Sequence, residues 1–296
     1  MLGSETVSRQ GPTRQIQRAA ALAILAAVAL PAAAQAKVVE PVSVTGKVDV
    51  PSGQTRSLTL KCPAHAVALN GTATSPLAAT SSTPGADARR WTFGFTGGPS
   101  GRTGAAVLRC VRLRLPRRVH GVGLAVETKI EPVFEVPAGS TMQVPIRCSR
   151  GNVPTGWGLE RNAEDNGLSV AGAVPTKRGW AFAIENTGAS GASGNLSIRC
   201  LQKRQRAAGG QRHTFSTRIA SFTEQIEGSG TTSRSCRGDE YSVATGVSLP
   251  ASDDILLTRT LLVGARGGEW AFAQSSGATA VTTKLVCLKR TTGFHR

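Results

Sequence analysis

Six cysteines, Cys62, Cys110, Cys148, Cys200, Cys236 and Cys287, are the side chains of this chain best suited to covalent chemistry. A thiolate can attack an electrophile, ligate a soft metal or close a disulfide, and the redox compartment decides among these. Groups for acid–base work are thinly supplied. His65, His120, His213 and His295 are scattered, and neither a Gly-x-Ser-x-Gly nor a His-Glu-x-x-His pattern occurs. Acid pairs stand at Glu164-Asp165 and Asp253-Asp254. Two carboxylates can hydrolyse a glycoside when correctly separated, or lend oxygens to calcium. No EF-hand spacing accompanies them, so the expectation is acidic turns, with no metal, no cofactor and no catalytic residue.

The N-terminus indicates the compartment. Arg9, Arg14 and Arg18 precede a run without charge from Ala19 to Leu30, Pro31 interrupts it, and Ala34-Gln35-Ala36 follows. This is the pattern of a secretory signal peptide, with cleavage expected after Ala36. The apolar run is short and alanine-rich for a bilayer anchor. The expectation is therefore a mature chain without a transmembrane segment, secreted or held in the cell envelope. An even cysteine count in an exported chain reads as a disulfide framework, leaving no thiol nucleophile.

The cysteines themselves recur. Positions 62, 148 and 236, and again 110, 200 and 287, follow a period of about 88 residues, as do Trp91, Trp180 and Trp270. The segments ending on the first cysteine of each copy are VDVPSGQTRSLTLKC, FEVPAGSTMQVPIRC and the degenerate TEQIEGSGTTSRSC. Around the tryptophans the copies read RRWTFGF, RGWAFAI and GEWAFAQ. Of the fifteen possible pairings, 62–110, 148–200 and 236–287 is the one that repeats identically and stays within each copy.

These segments alternate with the period of strands. Trp91 and Phe93, Trp180 and Phe182, and Trp270 and Phe272 share one face in each copy and are expected core aromatics. Pro145 cannot donate to a ladder, so its strand belongs at an edge or a bulge. Thr232 and Arg234 occupy the offsets where the other copies carry Leu58 and Leu60 or Val144 and Ile146. Glycine and proline turns punctuate the strands throughout, and no segment after Ala36 has helical periodicity. The prediction is an all-β protein: a signal peptide at 1–36, then modules at 37–118, 119–208 and 209–296.

A cysteine on an early strand, an inward tryptophan and a cysteine on a late strand resemble immunoglobulin-like sandwiches, although the tryptophan comes late and no tyrosine stands two residues before Cys110, Cys200 or Cys287. The chain also resembles secreted actinobacterial β-sandwich repeat proteins with one cysteine pair and a Trp-x-Phe strand per repeat. Cys62-Pro63-Ala64 fits the start of that pattern; Cys148-Ser149 and Cys236-Arg237 depart from it. The resemblance implies three β-sandwich modules and carries no activity.

Lys and Arg total 35 against 18 acids, a formal charge of +17. After each closing cysteine the chain turns basic: Arg112, Arg114, Arg117 and Arg118; then Lys203, Arg204 and Arg206; then Lys289 and Arg290. These segments are either solvated linkers or binding sites for acidic envelope polymers and other extracellular polyanions. Nucleic acid is the weaker partner, because no aromatics interleave with the cations. Arg237-Gly238-Asp239 spells an adhesion tripeptide next to Cys236, and Trp157, without counterpart, is either a sugar-stacking platform or a core filler. The expectation is a non-catalytic binding or structural protein. A secreted hydrolase of unrecognised type and a passive spacer stand as alternatives. Ligand and oligomeric state are beyond the sequence.

Overall fold

Each copy predicts short strands ending on a cysteine or centred on a tryptophan, and the computed structural model of the chain is built of them. It describes residues 39–74, 79–113, 124–162, 167–206, 211–250, 255–275 and 277–294. Among these there are β-strands and no helix. The expected signal peptide, the acid pairs Glu164-Asp165 and Asp253-Asp254, and Arg114, Arg117 and Arg118 lie outside the described residues.

In the first copy, β6 (Arg102–Leu113) pairs with β1 (Val39–Val50) and β3 (Ala66–Ala73), and β5 (Arg90–Thr96) pairs with β2 (Thr55–Lys61) and β4 (Ala79–Pro84), all antiparallel. In the second, β12 (Ala192–Gln202) pairs with β7 (Val126–Val136) and β9 (Asn152–Arg161). There β11 (Gly179–Asn186) pairs with β8 (Thr141–Arg147) and β10 (Leu168–Thr176). A short β13 (Arg204–Arg206) leads into the third, where β19 (Ala278–Phe294) pairs with β14 (Gln211–Glu227) and β16 (Tyr241–Ser248). Its β18 (Gly267–Gln274) pairs with β15 (Gly230–Ser235) and β17 (Ile255–Val263).

Strands of neighbouring copies share sheets. β4 pairs with β9 at Ser81↔Glu160 and Ser82↔Leu159, giving the order β2-β5-β4-β9-β12-β7. β10 pairs with β16 at Gly172↔Ser248 and Ala173↔Val247, giving β13-β14-β19-β16-β10-β11-β8. The equivalent strand of the third copy, β17, packs against β3 without ladder bonds. Gly158 permits the first junction: a Cβ there would lie 1.9 Å from the Ser82 carbonyl oxygen. As Pro145 requires, β8 is an edge strand.

The core follows from these junctions. One apolar cluster draws on all three copies, with Leu69 and Val111, Trp180 and Ile198, and Val243 and Val286 among its members; two smaller clusters surround Trp91 and Trp270. The six predicted aromatics are all buried. Opposite each closing cysteine the neighbouring strand β3, β9 or β16 carries a β-bulge, adding Leu69, Thr155 or Val243, and each extra side chain is fully buried. A bulge turns one additional residue inward and sharpens the local twist.

The third copy departs from the sequence alignment in one respect. Trp91 lies opposite Leu60 and Trp180 opposite Ile146, but Trp270 lies opposite Thr232, and Arg234 faces Gly268. Two extra residues before Trp270 push the indole further along its strand, and Gly268 makes room: a Cβ there would come within 2.7 Å of Leu285. Thr232 donates to Glu224 (2.5 Å), which also pairs with Arg234, whose guanidinium lies over the Phe222 ring. A small polar network therefore replaces the apolar pair of the other copies.

Candidate polyanion-binding surface

The bridges are Cys62–Cys110, Cys148–Cys200 and Cys236–Cys287, with Cα separations of 5.8, 5.8 and 5.6 Å. Each joins the end of an early strand to the copy's last strand, and all six sulfurs belong to buried residues. Cys236, Glu240 and Cys287 bring three metal-type donors together, but the two sulfurs are spent on each other and Glu240 is committed to Arg218.

After the first cysteine the chain makes a tight turn in every copy, closed by Ala66 N–H to Pro63 O, Asn152 N–H to Ser149 O and Glu240 N–H to Arg237 O. What holds the turn differs. In the first copy Val42, in register with Cys110, and Ala66 are both packed with the apolar core. In the second, Glu127 takes the Val42 position and accepts from Ser149 N–H, Ser149 Oγ and Asn152 Nδ2. Burial works against this carboxylate, but those bonds and Lys129 outweigh it and lower its pKa to about 2. In the third, Arg218 takes that position and binds Glu240 through Nε (2.8 Å) and Nη2.

Arg112 is half-buried on β6, in register with Glu40. Lys203 and Arg204 are exposed; Arg206 continues β13 in register with Arg212. Lys203 binds the second-copy turn (N–H to Gly151 O, 2.8 Å) and accepts from Phe215 N–H of β14 (2.7 Å). Across β14, Lys289 of β19 lies in register with Ser216 and pairs with Asp239 at 2.5 Å. The basic segments of copies two and three thus meet on one β13-β14-β19 ladder. Arg290 does not share that face. It alternates with Lys289, lies in register with buried Phe215, and has a buried Nη1 without a hydrogen-bond partner.

On the same face as Arg290, His213 is 1% exposed and neither ring nitrogen has a partner. Burial, reinforced by the Arg290 charge, lowers its pKa and so favours the neutral ring in the folded state. An unfolded histidine protonates below about 6.5. Folded stability is therefore full above that pH and falls as pH drops through it toward the lower folded value. The melting temperature of the wild-type protein is expected to fall more steeply from pH 7 to pH 5 than that of His213→Gln; parallel slopes would show that this ring carries no such linkage.

Arg237, Gly238 and Asp239 are exposed on their turn, with the Asp239 carboxylate already engaged by Lys289. Trp157 packs into the core edge instead of standing fully exposed. It is half-buried against Trp180 and Phe182, with ring centroids 6.3 and 5.6 Å away, and donates across the second junction to Thr245 O (3.3 Å).

Sequence reasoning missed the arginines at the junctions and at the hairpin tips. Arg109 Nη2 donates to Gly264 O (2.6 Å) of the third copy. Arg199 donates to Gly85 O (3.2 Å) of the first copy and to Thr128 Oγ1 (2.6 Å), with its guanidinium 5.9 Å from the centre of the Trp91 ring. Both are buried, and burial pushes each pKa down to about 10. At the tips, Arg89, Arg178 and Arg266 each offer a carbonyl to the N–H of their copy's first cysteine, at 2.8, 2.8 and 2.9 Å. Their signal was visible in ADARRW, TKRGW and ARGGEW, an arginine shortly before each tryptophan.

No protein-family model matches the chain, and a search of curated proteins finds no significant match.

Proposed function

We propose that this chain is a secreted, non-catalytic protein of the extracellular space or cell envelope, composed of three immunoglobulin-like or related β-sandwich modules, which binds acidic polymers through its basic segments. The observation that carries this reading is that Arg204 and Lys289 share one face of the β13-β14-β19 ladder, with exposed Lys203 tied to it through the Phe215 N–H. Cations gathered on one surface release the counterions of a polyanion together, and this supplies affinity without a deep pocket. The three disulfides fit an oxidising compartment.

The hydrolase reading finds less support. A catalytic acid at neutral pH needs a raised pKa. Among the described residues, the carboxyl groups with resolved shifts, Glu127, Asp239 and Glu240, are all lowered. A passive spacer has no use for strands that pair from copy to copy and bring β17 back against β3.

The test is elution from an immobilised polyanion. Replacing Lys203, Arg204 and Lys289 together by serine is expected to move elution to lower salt. The log–log salt slope of binding should shrink by about 0.7–0.9 for each phosphate that the variant no longer neutralises. Elution at an unchanged salt concentration would remove the reading.

A further inference from the structure

The polyanion reading rests on segments that follow the closing cysteines, but the fold gathers a larger set of cations elsewhere on the same end of the protein. In every copy the bridge lies at the end formed by the turn after the first cysteine and the hairpin tip before the tryptophan, because the cysteine N–H binds the tip arginine's carbonyl. Neighbouring ends touch directly. The third-copy tip meets the first copy through Arg109 and Gly264, and the first-copy tip meets the second through Arg199 and Gly85. The second-copy turn meets the third copy through Gly151, Lys203 and Phe215. Hydrogen bonds therefore join each pair of copies near these ends, which places the ends side by side.

That end is cationic beyond its own needs. Arg150, Lys177, Arg178, Arg237 and Arg266 are exposed there, and none forms an ion pair among the described residues. The carboxylates nearby are already engaged: Asp87 with Arg90, Glu127 with Lys129, Asp239 with Lys289, and Glu240 with Arg218. The far ends of the strands carry Asp49, Glu135, Glu160 and Glu227, all exposed. Lys47, Arg56 and Arg102 stand exposed among them, so the far end is close to charge balance while the bridge end holds the cationic excess.

We infer that this end, built from the post-cysteine turns and hairpin tips of all three copies, is a docking face for a linear phosphodiester polymer that lacks bases. The inference rests on the polyanion reading and extends it by naming the face and the polymer class. Four of the five unmatched cations are arginines, whose planar fork matches phosphate oxygens two at a time. The groove at the third-copy tip, lined by Arg234, Arg266 and Glu269 among others, is open to solvent, which suits a polymer lying across it. No Phe, Tyr or Trp side chain whose burial the structure describes is fully exposed, which disfavours the stacking that single-stranded nucleic acid uses.

The experiment compares full-length variants binding to poly(glycerol phosphate), to a polyuronate and to single-stranded DNA of matched charge. Changing Arg150, Lys177, Arg178, Arg237 and Arg266 together to serine is expected to weaken binding to poly(glycerol phosphate) by about tenfold or more at moderate salt. Changing Lys47, Arg56 and Arg102, cations of the opposite end, is expected to alter it by less than about twofold. These side chains are exposed, and unchanged circular dichroism and melting temperature confirm that both variants fold. If the wild-type protein binds poly(glycerol phosphate) and the five-fold variant binds equally well, this face is wrong while the polyanion reading stands. If the wild-type protein prefers DNA or the polyuronate, the polymer class is wrong. If it binds none of the three, the polyanion reading falls as well.

Discussion

Arg199→Ala is expected to lower the unfolding free energy by about 3–5 kcal/mol, the range of the most damaging single substitutions. Truncation removes the bonds to Gly85 O and Thr128 Oγ1, uncovers the face of Trp91 and leaves a void at a residue only 1% exposed. A buried acceptor without its donor costs roughly 1–3 kcal/mol, and a large-to-small core change adds roughly 2 kcal/mol or more. Arg199→Met should cost less, because it keeps most of the volume. The third copy illustrates the apolar solution: Val286 stands next to Cys287 where Arg109 and Arg199 stand next to Cys110 and Cys200, and it joins the central core. Urea unfolding followed by tryptophan fluorescence measures both variants. An Arg199→Ala value within about 0.5 kcal/mol of wild type, the scatter of innocuous surface changes, would mean that the junction does not depend on this side chain.

The second large effect concerns the bridge of the middle copy. Changing Cys148 and Cys200 together to alanine opens a loop with a sequence separation of 52 and is expected to cost roughly 4 kcal/mol in the chain-entropy account. The middle copy supplies β9 to one shared sheet and β10 to the other, so its loosening reaches both neighbours. Unfolding of the double variant should remain a single transition at lower denaturant, rather than one third of the signal melting alone. Separate transitions would show that the copies unfold independently despite their shared sheets.

Much of the strand architecture could be read from residue types. Alternation around Trp91, Trp180 and Trp270 located the inward faces, and the common period selected the disulfide pairing that the structure contains. Pro145 marked an edge because a missing N–H is a local fact. The junctions were not legible for the opposite reason. Gly156 and Gly158 look like any strand glycines until β3 and β4 approach: a Cβ on Gly156 would lie 2.0 Å from Leu69 O. Arg109 and Arg199 read as ordinary strand cations, and only a neighbouring copy's carbonyl reveals why they are buried. The bulges at Leu69, Thr155 and Val243 were hidden because one inserted residue does not disturb the composition of a strand. The basic segments were found as letters, yet alternation along β19 divides Lys289 from Arg290, a distinction that needs the register.

The shared sheets also impose an order on assembly. A chain made from its N-terminus completes β4 before β9 exists, and β10 before β16. For that interval each has an unpaired edge, the kind of surface on which partly folded chains pair with one another. Pro84 and Pro175 stand at corresponding places near the ends of these two strands, opposite Trp91 and Trp180, and a proline on a waiting edge offers one N–H fewer to a stray partner. The third copy is placed differently, because its outer strand forms no ladder with another copy. Its β17 carries Thr260 at the corresponding place, opposite Trp270, and comes to rest on β3 from the start of the chain. The strand that ladders with no other copy is the one without the proline.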